Sequence, residues 1–278
     1  MKRILTQKDI IAFQEHLIQE EKSAATVEKY KRDVNAFLVF SNKRPITKEL
    51  SIEYKKSLID DGYAIRSINS MLASLNSLFV FLDWNDCKVK NLRTQRQTYC
   101  AEEKELTKAE YLQLLKISES RPRLHLLLQT ICGTGIRVSE LAYFTVEAVR
   151  KGVITVSCKN KTRTILIPGK LKKLLLSYTK RTGIDTGIIF RTRSGKPMNR
   201  SNIWADMKKL CRQTGISPSK VFPHNLRKLF ARTFYAMEKD IAKLADILGH
   251  SSVNTTRIYI MATGVEHRRR IERLGLVV

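Results

Sequence analysis

The chain has 278 residues, enough to bury a large core and to divide into two domains. Its formal net charge of +25 points to a polyanionic partner, although charge alone also fits a ribosomal or merely basic protein. It lacks an apolar run near the roughly 20 residues that span a bilayer, a signal-peptide pattern at its start, and any Cys-x-x-Cys pairing among five scattered cysteines, so an intracellular protein with reduced thiols is expected.

Residues 6–21 are predicted to be a helix, with Thr6 as its cap and Ile10, Phe13 and Leu17 at helical spacing. Ser23 opens a second helix, striped by Val27, Tyr30, Val34, Phe37 and Leu38. Thr47 begins a third, and residues 64–83 give a fourth through Ile68, Leu72, Leu75, Phe79 and Leu82. Four amphipathic helices with short connections make an all-α module over 1–87. The polar, aperiodic stretch that begins at Lys88 reads as a basic linker over 88–104.

A second domain over 105–278 begins with a helix capped by Thr107 and carrying Tyr111, Leu114 and Leu115. The next helix, over about 122–132, ends at Gly133 and Gly135, which allow a tight turn before Arg137. Val153-Ile154-Thr155-Val156 and Thr164-Ile165-Leu166-Ile167 are rich in β-branched residues, and the polar Lys159-Asn160-Lys161-Thr162-Arg163 between them makes a hairpin. Beyond about residue 170 the pattern is mainly helical, without internal repeats. The charge is uneven: residues 1–95 hold 16 Lys and Arg against 12 Asp and Glu, and residues 96–278 hold 35 against 14. The strongest anion-binding surface therefore belongs to the second domain.

Three short motifs carry chemistry there. His224 and Arg227 lie three apart on a helix opened by Pro223, so they share a face and can meet one anion. In isolation such a pair is ordinarily a surface feature. A helix over Lys239–Leu248 is ended by Gly249, which puts His250 at its boundary, where a lone histidine is ordinarily a C-cap. Asn254 can cap the following helix, with Tyr259 on its second turn. Tyr143, Tyr178 and Tyr235 have no comparable context and read as core or half-buried. Gly133-x-Gly135 lacks the third glycine of a dinucleotide fingerprint, since position 138 is valine, and there is no Walker motif.

Taken in order, Gly135-Ile136-Arg137-Val138-Ser139-Glu140-Leu141, His224-Asn225-Leu226-Arg227, Leu248-Gly249-His250-Ser251 and Thr255-Thr256-Arg257-Ile258-Tyr259 resemble the successive signatures of tyrosine recombinases, the phage-integrase family. Ser23-Ala24-Ala25-Thr26 with Tyr30 and Phe37 is similar to the start of that family's core-binding domain, so the resemblance covers nearly the whole chain. It implies a mainly α fold with a small β-sheet: an all-α SAM-like core-binding domain and an α+β catalytic domain, together a C-shaped clamp on DNA.

The resemblance also implies roles. Tyr259 would attack the scissile phosphate and form a 3′-phosphotyrosine, releasing a 5′-hydroxyl. Arg137 and Arg227 would clamp the non-bridging oxygens, and His250 would donate a further hydrogen bond. His224 would assist proton transfer from the phenol, which holds its proton at neutral pH. Lys159 best matches the hairpin lysine that protonates the leaving oxygen, with Lys161 as its competitor. Glu140 would steady the site from behind. Many relatives carry histidine where this chain has Lys228, a position outside the catalytic pattern. No cofactor or metal is implied. The implied partners are double-stranded DNA with inverted-repeat sites and a homotetramer on synapsed DNA, with room for accessory DNA-bending proteins. The location would be cytoplasmic, at the nucleoid. The first core-binding helix begins within ten residues, which favours a simple Xer-like or mobile-element enzyme. A type IB topoisomerase and a catalytically silent DNA-binding protein are the rival readings. The segment from about residue 265 carries an apolar stripe that could fold back on its own domain, whereas the resemblance implies that it docks on a neighbouring protomer.

Overall fold

A computed structural model of the chain describes residues 3–93, 104–158, 161–261 and 264–276, the side chains at 158, 161 and 270 excepted. The chain divides into two compact units, one built on the N-terminal helices and one on the described residues from 104 onward.

The first unit packs α1 (Gln7–Gln19), α2 (Ala24–Ser41), α3 (Lys48–Asp60) and α4 (Ile65–Phe81) around Ile10, Phe13, Phe37, Leu72, Leu75 and Phe79, all essentially inaccessible to water. Their starts are fixed locally. The Thr6 hydroxyl accepts the Asp9 amide while the Asp9 carboxylate accepts the Thr6 amide, a reciprocal cap, and Ser23 and Thr47 cap α2 and α3. Residues 88–93, read from sequence as the start of a linker, are held on this unit instead. Asn76 both donates to the Val89 carbonyl (2.8 Å) and accepts its amide (2.9 Å), and Asn69 does the same for Leu92 (2.9 and 2.8 Å). The rest of that stretch, 94–103, lies outside the described residues.

The second unit comprises α5 (Lys108–Ser118), α6 (Pro122–Thr134), α7 (Val146–Lys151), strands β1 (Val153–Cys158) and β2 (Lys161–Leu166), α8 (Gly169–Arg181), α9 (Arg200–Cys211), α10 (Pro223–Glu238), α11 (Ile241–Leu248), α12 (Val253–Tyr259) and α13 (Gly264–Glu272). The strands pair antiparallel, with Val156 opposite Arg163 and Thr155 opposite Thr164. Ile154, Val156 and Ile165 face the core, whereas the residues alternating with them face water. Among the described residues no helix is long and apolar enough to cross a membrane.

Several local expectations need correction. Helix α6 runs on through Gly133 to Thr134, and only Gly135 (φ 62) caps it. Lys239 does not start α11: it takes the left-handed conformation (φ 58) that ends α10, and the Asp240 carboxylate caps α11 through the Lys243 amide. Ser252, not Asn254, caps α12, its hydroxyl accepting the Asn254 amide (3.2 Å). Tyr143, expected to be core or half-buried, is 40 % exposed, and its hydroxyl donates to the Ser157 carbonyl (2.9 Å).

Candidate active site

Helix α10 packs on α6, which brings the turn after α6 beside the first turns of α10. Gly135 is needed there twice over. Its φ of +62° disfavours side chains, and a Cβ would come within 2.3 Å of the Phe230 ring on α10. Arg137 follows at the start of a 3-10 turn over Val138–Tyr143. From α10 project His224 and Arg227; from the α11–α12 connection, His250; and from the end of α12, Tyr259.

Arg227 is 1 % exposed, an unusual place for a guanidinium. It donates to the Gly135 carbonyl and, at 2.7 Å, to the Leu248 carbonyl. Burial, followed by the positive charge of Arg137, pushes its pKa down to about 10, so it stays protonated at neutral pH. Arg137 is more open, its side chain 43 % exposed; it donates to Glu140 Oε1 (3.2 Å) and to the Gly249 carbonyl (3.0 Å), and its amide donates to Glu140 Oε2 (2.6 Å). Glu140 itself is 3 % exposed. A third arginine, Arg163, donates to Glu140 Oε2 and to the Ile247 carbonyl. Three successive carbonyls, Ile247, Leu248 and Gly249, therefore each accept from a different guanidinium, as suits the negative end of α11.

The orientation of His250 follows from that arrangement. Its backbone amide donates to the Ala245 carbonyl (2.9 Å) across the αL turn at Gly249, so it does close the helix end. Arg227 lies 3.1 Å from Nε2 and can only donate, so Nε2 accepts; Nδ1–H then donates to the hydroxyl of the buried Thr256 (2.9 Å). Burial, then the cations Arg227, Arg137 and Arg163, push the His250 pKa down to about 4. His224 is also lowered, first by desolvation and then by Lys228 and Arg227. Both imidazoles are neutral at neutral pH. The Tyr259 ring lies between them, 5.0 Å from His224 and 4.9 Å from His250, with the Arg227 guanidinium 5.9 Å from its centre.

These depressed values fix a pH dependence. Between about 4 and the ordinary 6.5 the unfolded chain binds more protons at His250 than the folded one, so stability should rise with pH across that window and fall on acidification. Melting temperatures from pH 4.5 to 7 check this. His250→Asn should flatten the slope, with His224 leaving a residue of the same sign; an unchanged slope would contradict the assignment.

The structure thus brings Arg137, Glu140, His224, Arg227, His250 and Tyr259 together. Lys159 lies outside the described residues, as does the side chain of Lys161. Lys228 pairs with the buried Glu105 (2.8 Å), which Arg232 also meets (3.1 Å), so the residue that departs from the family pattern has a local partner. Sequence reasoning missed Arg163 and Thr256 as site residues. The signal for Arg163 was available in the strand alternation, since positions 163, 165 and 167 share the inward face of β2 and its continuation.

Guanidiniums, imidazoles and a phenol thus converge at one place in the second unit. The Phage integrase family model matches residues 104–264, more than half of the chain, and the phage integrase N-terminal SAM-like domain matches residues 10–86. The chain is 31% identical to the tyrosine recombinase XerA of Pyrococcus furiosus over 273 residues, covering 95% of this chain and 93% of that protein. It is 26% identical to the tyrosine recombinase XerC of Roseiflexus castenholzii, covering 91% of this chain and 88% of that one. Among solved structures, a crystal structure of XerA recombinase covers 97% of this chain and 98% of its own at 25% identity, with a TM-score of 0.54. A lambda integrase dimer bound to a COC′ core site superposes at TM-score 0.76 and 19% identity, covering 94% and 96%, a likeness of fold. The chain belongs to the phage integrase family, the tyrosine recombinases. Its activity is site-specific DNA recombination by strand cleavage and rejoining.

Proposed function

We propose that Tyr259 is the nucleophile and that the other residues around it divide the work on one scissile phosphate. The observation that carries this is the convergence of Arg227 and two neutral imidazoles on a single tyrosine ring, with Arg137 held beside His250 on the Gly249 carbonyl. The phenolic oxygen forms the bond to phosphorus, the bond to the 5′-oxygen breaks, and the DNA is held as a 3′-phosphotyrosine. His224, kept neutral by its surroundings, accepts the phenolic proton. Arg137 and Arg227 meet the charge that builds on the non-bridging oxygens, and Glu140 orients Arg137 from behind. His250 donates to the phosphate once Nε2 carries a proton. The incoming negative charge offsets the cations that depress its pKa, so phosphate binding and protonation support each other.

A hairpin lysine supplies the proton that the 5′-oxygen takes on leaving, Lys159 first and Lys161 second. Lys159→Ala should therefore slow cleavage of an ordinary substrate and be rescued by a 5′-bridging phosphorothiolate, whose sulfur leaves without a proton. Rescue of Lys161→Ala but not of Lys159→Ala would exchange the two assignments.

The substrate in this reading is duplex DNA with inverted-repeat sites, in the cytoplasm at the nucleoid. A core-binding domain, which also holds residues 88–93, and a catalytic domain over 105–278 would each bind it. The active assembly is a tetramer, as in the lambda integrase tetramer bound to a Holliday junction. Val265, Ile271, Leu274 and Leu276, on α13 and just beyond it, are 47 to 83 % exposed, which supports docking of this tail on a neighbouring protomer rather than on its own domain. Removing residues 265–278 should spare binding to a single half-site and impair recombination between paired sites; normal recombination by the truncated protein would refute the docking. Relaxation of a plasmid without any recombination site would instead favour topoisomerase action.

A further inference from the structure

Arg137 has to be held in place by its partners, because its side chain is 43 % exposed and burial does not fix it. Among the described residues its side chain has two, the Glu140 carboxylate and the Gly249 carbonyl. Arg163 stands behind both. Its guanidinium, 13 % exposed, donates to the same carboxylate of Glu140 and to the Ile247 carbonyl, two residues before Gly249 at the end of α11. Its stem also passes against Gly249 so closely that a Cβ there would lie 2.5 Å from Arg163 Cδ. Glycine at 249 therefore serves the αL helix end and makes room for this side chain.

We propose that Arg163 is a positioning residue of the phosphate clamp: from β2 it fixes the carboxylate and the helix end that together aim Arg137, and with them the turn that presents His250. The proposal rests on the reading of Arg137 as a phosphate ligand. A planar fork suits the task, since it reaches a carboxylate and a carbonyl at once, which an ammonium does not do with fixed geometry. Arg163 touches the partners of Arg137, and no contact with the DNA is needed for its effect.

Single-turnover cleavage of three substrates tests this: an ordinary phosphodiester, a methylphosphonate at the scissile position, and a 5′-bridging phosphorothiolate. The methylphosphonate carries no negative charge for a clamp to neutralise. Arg163→Ala should lose about a hundredfold on the phosphodiester, the scale of a small misplacement of a catalytic group. The loss should be relieved on the methylphosphonate, in parallel with Arg137→Ala, and persist on the phosphorothiolate. A merely structural role would slow all three alike, and relief on the phosphorothiolate alone would assign Arg163 to the leaving-group lysine; either result overturns the proposal. If Arg137→Ala is itself not relieved by the methylphosphonate, the clamp reading falls and this proposal with it; if only Arg163→Ala is not relieved, this proposal falls alone. Should Arg163→Ala unfold because Glu140 loses a cation, Arg163→Lys keeps a charge beside Glu140 without the fork that also reaches the Ile247 carbonyl, and it must show the same pattern on the three substrates.

Discussion

Tyr259→Phe is expected to abolish covalent attachment to DNA while leaving half-site binding nearly unchanged. The contacts of Tyr259 among the described residues are made by its ring, against His224, His250 and the small cluster of Ala231, Leu244 and Leu248. Phenylalanine keeps that packing and removes only the oxygen that forms the bond to phosphorus. A suicide substrate nicked near the cleavage point should trap the wild-type protein as a slow band on a denaturing gel. The same band in the Phe variant would place the nucleophile elsewhere.

Arg227→Ala should damage both catalysis and folding, and the two losses have separate origins. Removing a donor aimed at developing charge typically costs about a hundredfold to a thousandfold in rate. The fold loses as well, because Arg227 donates to the carbonyls of Gly135 and Leu248 from a fully buried position. Each acceptor left dry costs about 1 to 3 kcal/mol. Arg227→Lys keeps the charge but cannot span both carbonyls with a planar fork, so it should recover part of the stability and little of the rate. Single-turnover cleavage with thermal melts separates the terms. An alanine variant that cleaves at close to the wild-type rate would remove Arg227 from the clamp.

Much of this site was legible in the sequence because its residues sit at helix boundaries, which carry strong local signals. Pro223 starts α10 and places His224 and Arg227 on one face, and Gly249 ends α11 and places His250. The boundary at α12 was misread because serine and asparagine are both good caps, and only the three-dimensional turn selects Ser252. Arg163 was read as part of a polar turn. Its role depends on Glu140, 23 residues away, and on Ile247, 84 residues away, and strand alternation marks it as inward without naming a partner. Lys228 was judged tolerable from the family pattern alone; the reason it has a place is Glu105, 123 residues earlier. The N-terminal helices were plain from their apolar stripes, whereas the anchoring of residues 88–93 was not, since it uses backbone groups that leave no trace in composition.

That anchoring has a consequence for which substitutions the first unit tolerates. Asn69 and Asn76 are seven positions apart, two turns of α4, and each closes a two-point clasp on a single backbone residue, as a neighbouring strand would. Neither clasp inspects a side chain, so Lys90 and Asn91 between them are free to vary. Spacing is not free: Val89 and Leu92 must remain three apart, so losing or gaining one residue between them opens a clasp where exchanging two would not. Either asparagine replaced by aspartate still accepts the amide but loses the donor, leaving a carboxylate oxygen facing a carbonyl oxygen. The chain leaves this unit along a path fixed by length rather than by residue type.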